Sequence, residues 1–338
     1  VLENFKSVGI IGTGSYLPTK IVTNQDLEKT VETTSEWIVD RTGIKERRIA
    51  DPGIATSDLA ALAAEKAMID AGVTADEIDL IILATCTPDM GVVSTACLVQ
   101  DKIKASKAAA FDLSAACSGF AYGLVVGSQC IKTGLYKKVL VIGAETLSRI
   151  LDWTDRNTCV LFGDGAGAAV LSEVPAGYGI LGVDLGAQGS GADFLKVSAG
   201  GSRLPATNET VNQRQHFVTM NGSEVFKFAV KVMGESALRA LDNAGLSHTD
   251  IDCLVPHQAN IRIINSAAKR LKVPMEKVMV NVDKYGNTSA ATIPIALDEA
   301  IKCNKIKNDD IVVLVGFGGG LTWASCVMKW YEEDKTIV

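Results

Sequence analysis

Apolar residues fall into two arrangements along this chain: stretches of helical period that close on Ala-Gly, and short unbroken runs with no polar side. Ala64, Ala67 and Ala71-Gly72 end one helical stretch, and Ala237, Ala240 and Ala244-Gly245 end another. A short turn with an Ile-Asp pair follows each, Ile78-Asp79 or Ile251-Asp252, and then a run such as Leu80-Ile81-Ile82-Leu83 or Cys253-Leu254-Val255. Helical period, a glycine stop and an all-apolar run predict helix, turn and buried strand in that order. Further helices are predicted near 119–133 and 290–302, leading to the matched strands Val139-Leu140-Val141-Ile142-Gly143 and Val312-Val313-Leu314-Val315-Gly316. The matched residues keep one offset of 173 positions (237 − 64 = 173; 312 − 139 = 173). Strands that are apolar on both faces and alternate with helices require largely parallel sheets covered on both sides. The expectation is an α/β protein of two duplicated halves, 1–178 and 179–338.

Composition narrows the class without changing that picture. The 338 residues are 47% hydrophobic, ample for a large core. The eight cysteines show no tight metal-like pairing and mostly fall in apolar segments, as free thiols of a reduced compartment do. A cytoplasmic location is expected, or the plastid stroma if a transit segment has been removed. No apolar stretch of spanning length is free of charge or breakers, so membrane insertion is not expected. A net charge of −6 argues against a general nucleic-acid binder and leaves room for a local basic patch.

The repeat also isolates the chemistry, because the reactive residues break it. Cys117 lies in Ala115-Ala116-Cys117-Ser118-Gly119-Phe120 and maps onto Ala290; His257, just after a strand, maps onto Ala84. Small neighbours leave room at Cys117, and a following helix can aim its N-terminal dipole at a thiolate, which predicts a lowered thiol pKa and backbone donors for an oxyanion. Of the three histidines, His216 sits in a polar stretch and His248 in a turn, whereas His257 stands in Val255-Pro256-His257-Gln258-Ala259-Asn260. An imidazole at a strand exit can donate to a developing enolate oxygen or shift a proton. Asn287, in Tyr285-Gly286-Asn287-Thr288-Ser289, adds an amide that can donate to the same oxygen while staying neutral. Three histidines without a recurring acidic pattern give no zinc site. Gly12-Thr13-Gly14 and Gly163-Asp164-Gly165-Ala166-Gly167 complete neither a dinucleotide nor a phosphate-loop pattern and are read as turns and close packing. An irregular insertion is expected over 186–201, where it can cover a substrate mouth.

With Cys117, the His257-Gln258-Ala259-Asn260 packet and Gly286-Asn287-Thr288-Ser289 in this order, the chain resembles the β-ketoacyl-acyl-carrier-protein synthase III family of thiolase-like condensing enzymes. The resemblance runs from Ile10-Gly12-Gly14 and Trp37-Ile38-Val39-Asp40-Arg41-Thr42-Gly43-Ile44 to Gly316-Phe317-Gly318-Gly319-Gly320. It implies a five-layered α-β-α-β-α thiolase-like fold, a homodimer and no cofactor beyond the CoA thioester used as substrate. It further implies two half-reactions: acylation of Cys117 by a short acyl-CoA, then decarboxylation of malonyl-acyl-carrier protein and attack on the acyl group.

By that resemblance, backbone N–H groups of Cys117 and Gly319 form an oxyanion hole, and Phe317 keeps the decarboxylation pocket apolar. Trp37 and Arg41 flank the adenine of CoA with Arg156 opposite, and Asn260 meets the pantetheine arm or a water. Lys227, Arg262, Lys269 and Arg270 form the basic face for the carrier protein. Val92 stands where many members place phenylalanine at the end of the acyl pocket, contributed across the dimer, which implies tolerance of longer or branched primers. The alternatives are another thiolase-like acyl-CoA condensing enzyme or acyltransferase, and a noncatalytic acyl-CoA-binding subunit. Asn287 and the single reactive cysteine weigh against the first, and the retained thiol, imidazole and amide against the second.

Overall fold

The computed structural model describes residues 6–332. Among the described residues, nine core strands form two sheets. The first is built from β1 (Val8–Tyr16), β2 (Leu80–Ala84), β3 (Ala109–Leu113), β4 (Val139–Glu145) and β5 (Gly165–Glu173), in the order β1-β5-β4-β2-β3. The second contains β6 (Gly179–Ala187), β7 (Cys253–Pro256), β8 (Ile311–Gly318) and β9 (Thr322–Lys329), in the order β7-β8-β9-β6. β3, β2 and β4 are mutually parallel, as are β7 and β8, and the remaining pairs are antiparallel. The sheets are therefore mixed, and the parallel part is the part the apolar runs predicted.

Five helices matter for the site: α1 (Thr56–Ala71), α2 (Gly119–Lys132), α3 (Gly222–Asn243), α4 (Ile261–Arg270) and α5 (Thr292–Lys302). α1 covers the outer face of the first sheet and α3 that of the second, while α2 and α5 touch both sheets and fill the space between them. The layers run α-β-α-β-α. Three apolar clusters match them: one under α1, one around the middle helices, and one joining α3 and α4 to the second sheet. Close contact under α1 explains the early glycines, since a Cβ on Gly12 would lie 2.4 Å from the Ala71 nitrogen. Those glycines serve packing rather than a phosphate.

The repeat is visible in detail. Gly72 (φ 64°) and Gly245 (φ 69°) both supply the left-handed residue that ends a helix at Ala-Gly. Each Ile-Asp pair buries its isoleucine, while its aspartate accepts from a neighbouring strand's first residues: Lys138 N donates to Asp79 (2.9 Å) and Ile311 N to Asp252 (3.0 Å). The copies diverge where β3 would recur. There the second sheet has only a single parallel bridge, Leu254 to Val278, and the chain turns away to carry Asn287. No helix among the described residues is long and apolar enough to cross a membrane.

Candidate active site

Cys117 sits at the entrance to α2, in a single 3-10 turn formed by Ala116, Cys117 and Ser118. The preceding residue, Ala116, is held at φ 47°, a left-handed conformation that a non-glycine residue adopts only under constraint from its surroundings. The constraint is β8: a Cβ on Gly318 would lie 2.5 Å from the Cys117 nitrogen. The matching turn before α5, Ser289 to Ala291, repeats the device with Ser289 at φ 50°. These paired turns face each other from the two halves, and the catalytic candidates gather between them.

His257 follows β7, its backbone N–H donating to Val315 O at 2.7 Å. Its Nδ1 lies 2.6 Å from Thr292 Oγ1, which also lies 2.9 Å from Ser289 O. Its Nε2 has no hydrogen-bond partner and the residue is 1% exposed. Burial pushes the imidazole pKa down to about 3, so the ring is neutral. Phe317 packs edge-on against it with centroids 5.4 Å apart. Asn287 is fixed from both ends of the peptide, its N–H donating to Leu161 O at 2.9 Å and its C=O accepting from Gly163 N at 3.1 Å. The Asn287 Oδ1 accepts from Ser289 N at 2.8 Å, which leaves the amide NH2 for a ligand.

One cavity is lined by Cys117, His257, Asn287, Phe317, Asn260 and Gly318, with Phe226 and Met220 beyond. An adjoining cavity of about 270 Å³ is lined by Cys117, Gly319, Cys86, Ser289 and apolar residues including Leu147, Ile150 and Phe162. The insertion after β6 contributes Leu195, Lys196 and Val197 to that second wall. The segment is less irregular than expected: Leu195–Val197 pairs with Val218–Met220 as a two-stranded ribbon. The expectation of a lowered thiol pKa is corrected. Burial pushes the Cys117 thiol up to about 12, and the charge of Glu145 adds to the shift, so the resting residue is a thiol.

The remaining sequence candidates lie around the mouth or away from it. The Arg41 and Arg156 guanidinium carbons stand 4.9 and 5.1 Å from the Trp37 ring centroid, a cationic and aromatic cluster. Asn260 caps α4, accepting from Arg262 N at 2.8 Å, and donates to Arg41 O at 2.9 Å, so it ties that cluster to the cavity. Lys227, Arg262, Lys269 and Arg270 are exposed on the adjacent helices α3 and α4. Lys227 pairs with Glu224 and Arg270 with Glu235, each at 2.8 Å or less, and Arg262 lies over Phe226. Val92 lines neither cavity of its own chain; it is fully exposed at φ 74°. Three residues were not singled out from sequence: Thr292, Ser289 and Glu145. Glu145 had a readable signal, a carboxylate closing an otherwise apolar buried run, whereas the contacts of the two hydroxyls depend on tertiary placement.

A buried thiol between two sheets, sharing one cavity with a neutral imidazole and an amide, fits a thiolase-like acyl-transfer enzyme. Comparison with known proteins gives the family. Residues 111–189 match the profile described as 3-Oxoacyl-[acyl-carrier-protein (ACP)] synthase III, and residues 241–330 its C-terminal counterpart. The β-ketoacyl-[acyl-carrier-protein] synthase III of Caldanaerobacter subterraneus subsp. tengcongensis is 60% identical over 324 residues, covering 96% of this chain and 98% of that protein. Among solved structures, the 3-oxoacyl-[acyl-carrier-protein] synthase III of Aquifex aeolicus VF5 is 49% identical with a TM-score of 0.88, covering 96% of this chain and 100% of the other. The synthase III of Thermus thermophilus is 47% identical with a TM-score of 0.90 over the same shares. The chain belongs to the β-ketoacyl-acyl-carrier-protein synthase III family. It is an acyltransferase of the initiating condensation in fatty-acid synthesis.

Proposed function

We propose that this enzyme joins a short acyl group, most simply acetyl, from its CoA thioester to the two-carbon unit of malonyl-acyl-carrier protein, through an acyl group carried on Cys117. The observation that carries this reading is the shared cavity of Cys117, His257, Asn287 and Phe317. In the first half-reaction the Cys117 sulfur attacks the acyl carbon, and N–H groups of Cys117 and Gly319 hold the oxyanion until CoA leaves. In the second, malonyl-acyl-carrier protein loses carbon dioxide. When the Thr292 hydroxyl turns its proton to Nδ1, the neutral His257 ring carries its own proton on Nε2 and donates it, with the Asn287 amide, to the enolate oxygen. The enolate carbon attacks the acyl-Cys117 thioester, releasing 3-oxoacyl-acyl-carrier protein. Phe317 and the burial of His257 keep water and charge away from the departing carboxylate.

Trp37, Arg41 and Arg156 suit the adenine and phosphates of CoA, because an indole and two guanidinium groups meet a planar ring and negative charge together. Asn260 then lies on the path of the pantetheine arm. Lys227, Arg262, Lys269 and Arg270 give α3 and α4 the basic face that an acidic carrier protein needs. A homodimer through the open edge of β3 is supported by exposed Phe111, Met90, Val92 and Val93 beside it. Val92 would then reach the partner's acyl pocket and, being smaller than phenylalanine, admit four- or five-carbon primers. Water-soluble thioester substrates and bacterial relatives support a cytoplasmic location. The test is incubation with labelled acetyl-CoA, peptide mapping of the label, then addition of malonyl-acyl-carrier protein. Label on Cys117 that moves into a 3-oxoacyl product is expected; a product formed with Cys117 never labelled would sink the reading.

A further inference from the structure

Beside the turn that carries Asn287 lies a buried cation that neither half-reaction employs. Arg47 is the middle residue of the short strand Glu46–Arg48, which pairs with Ile21–Thr23, and it is 0% exposed. Its hydrogen bonds go to neutral oxygens: Nη1 donates to Asn24 Oδ1 at 2.9 Å and to Val22 O at 3.1 Å, and Nη2 donates to Val160 O at 2.9 Å. Its Nε has no hydrogen-bond partner. Burial pulls its pKa down only to about 10, so the guanidinium keeps its charge at neutral pH. A charge buried among neutral dipoles carries a desolvation cost that an apolar side chain of similar volume avoids. Its place in the fold calls for a role beyond filling space.

Arg47 packs against the bridge that fixes Asn287. That bridge is the parallel pairing of Phe162 with Asn287, closed by Asn287 N to Leu161 O at 2.9 Å and by Gly163 N to Asn287 O at 3.1 Å. Gly163 follows Phe162 and Gly286 precedes Asn287, and a Cβ on these glycines would lie 3.1 and 3.5 Å from the Arg47 Cβ. The guanidinium then holds Val160 O, one residue before the carbonyl that accepts the Asn287 N–H. The neighbouring Arg48 adds a hold on the far side, its C=O accepting from Asp164 N at 2.8 Å. Asn24 anchors the head of Arg47 in turn, its Nδ2 donating to Ile44 O at 2.8 Å. We propose that Arg47 is a positioning residue for Asn287, fixing residues 160–163 so that Asn287 presents its amide NH2 to the enolate oxygen. The inference rests on the reading of Asn287 as a donor to that oxygen. Cys117 is set separately, by its turn against β8, so Arg47 serves the decarboxylation and not the acylation. The planar fork matters as much as the charge, because one group must reach acceptors on two separate segments at once.

Arg47→Met keeps the apolar stem and removes the fork. Release of labelled carbon dioxide from malonyl-acyl-carrier protein, read without acyl-CoA, is expected to fall about 10-fold or more, part of the loss of one preorganised oxyanion donor. Acylation of Cys117 at saturating acetyl-CoA, followed by rapid quench and intact mass, should stay within a few-fold of the parent. Arg47→Lys keeps the charge with fewer contacts and should lose less; it replaces Arg47→Met throughout if that variant does not fold. The decisive comparison adds Asn287→Ala. With the amide gone there is nothing left to position, so the double variant should release carbon dioxide within about two-fold of Asn287→Ala alone, the non-additivity of residues that act through one another. Losses that multiply would overturn the proposal, as would parental decarboxylation in a folded Arg47→Met or an equal fall in both half-reactions. Failure of the underlying reading looks different: Asn287→Ala by itself would decarboxylate at the parental rate, and the role of Arg47 would go with it.

Discussion

Neutrality is imposed on His257 by its burial, and that has a measurable cost in acid. Its pKa falls from an ordinary 6.5 to about 3 in the fold, so the unfolded chain binds a proton that the folded one refuses. Stability from this residue is present above pH 6.5 and is lost as pH falls from there toward 3. Thermal melts of the parent and of His257→Phe across that window should converge as the pH falls, because the variant lacks the titrating group; parallel curves would deny the assignment. In kinetics, His257→Ala and Asn287→Ala are each expected to lower decarboxylation about 100-fold, the scale of losing one preorganised donor to an oxyanion. Alkylation of Cys117 should survive in both. Thr292→Val should repeat part of the His257 defect by stranding Nδ1, and Thr292→Ser should restore it.

The elements that hold these residues are the two matched turns, and each is pressed against a strand glycine of its own. A Cβ on Gly318 would lie 2.5 Å from the Cys117 nitrogen, and one on Gly143 would lie 2.2 Å from the Ala290 oxygen. Gly318→Ala and Gly143→Ala are therefore expected to cost about 1–3 kcal/mol of stability through overpacking. The same substitutions should lower condensation far more than their neighbours would, measured as turnover in protein still folded by circular dichroism. At this scale the sequence was informative wherever pattern is local. The offset of 173 positions located both turns, and the helix expected near 119–133 spans Gly119–Lys132. It was silent where contact is made at a distance. Nothing near Ser289 says that it lines one cavity with Cys86 and Cys117, far back in the chain, and the favourable dipole of α2 gave no measure of how deeply the Cys117 thiol is buried.

For the whole molecule, the first sheet is left open along β3, whose residues alternate between exposed and half-buried. An open edge beside exposed Phe111, Met90 and Val93 calls for cover. Phe111→Lys is expected to shift the mass in solution toward a single chain and to reduce turnover with it; an unchanged mass would remove this edge from the assembly. Val92→Phe should leave acetyl-CoA turnover within a few-fold while abolishing use of five-carbon primers, read from a primer series.

The matched turns also carry a record of descent. Where the first presents Cys117, the second holds Ala290, in the same backbone shape and under the same helix start. A half-length ancestor pairing with a copy of itself across the middle helices would have owned two equal turns and two rival nucleophile positions. Joined in one chain, the copies are no longer equivalent at this point: the first turn holds a thiol where the second holds only a methyl group.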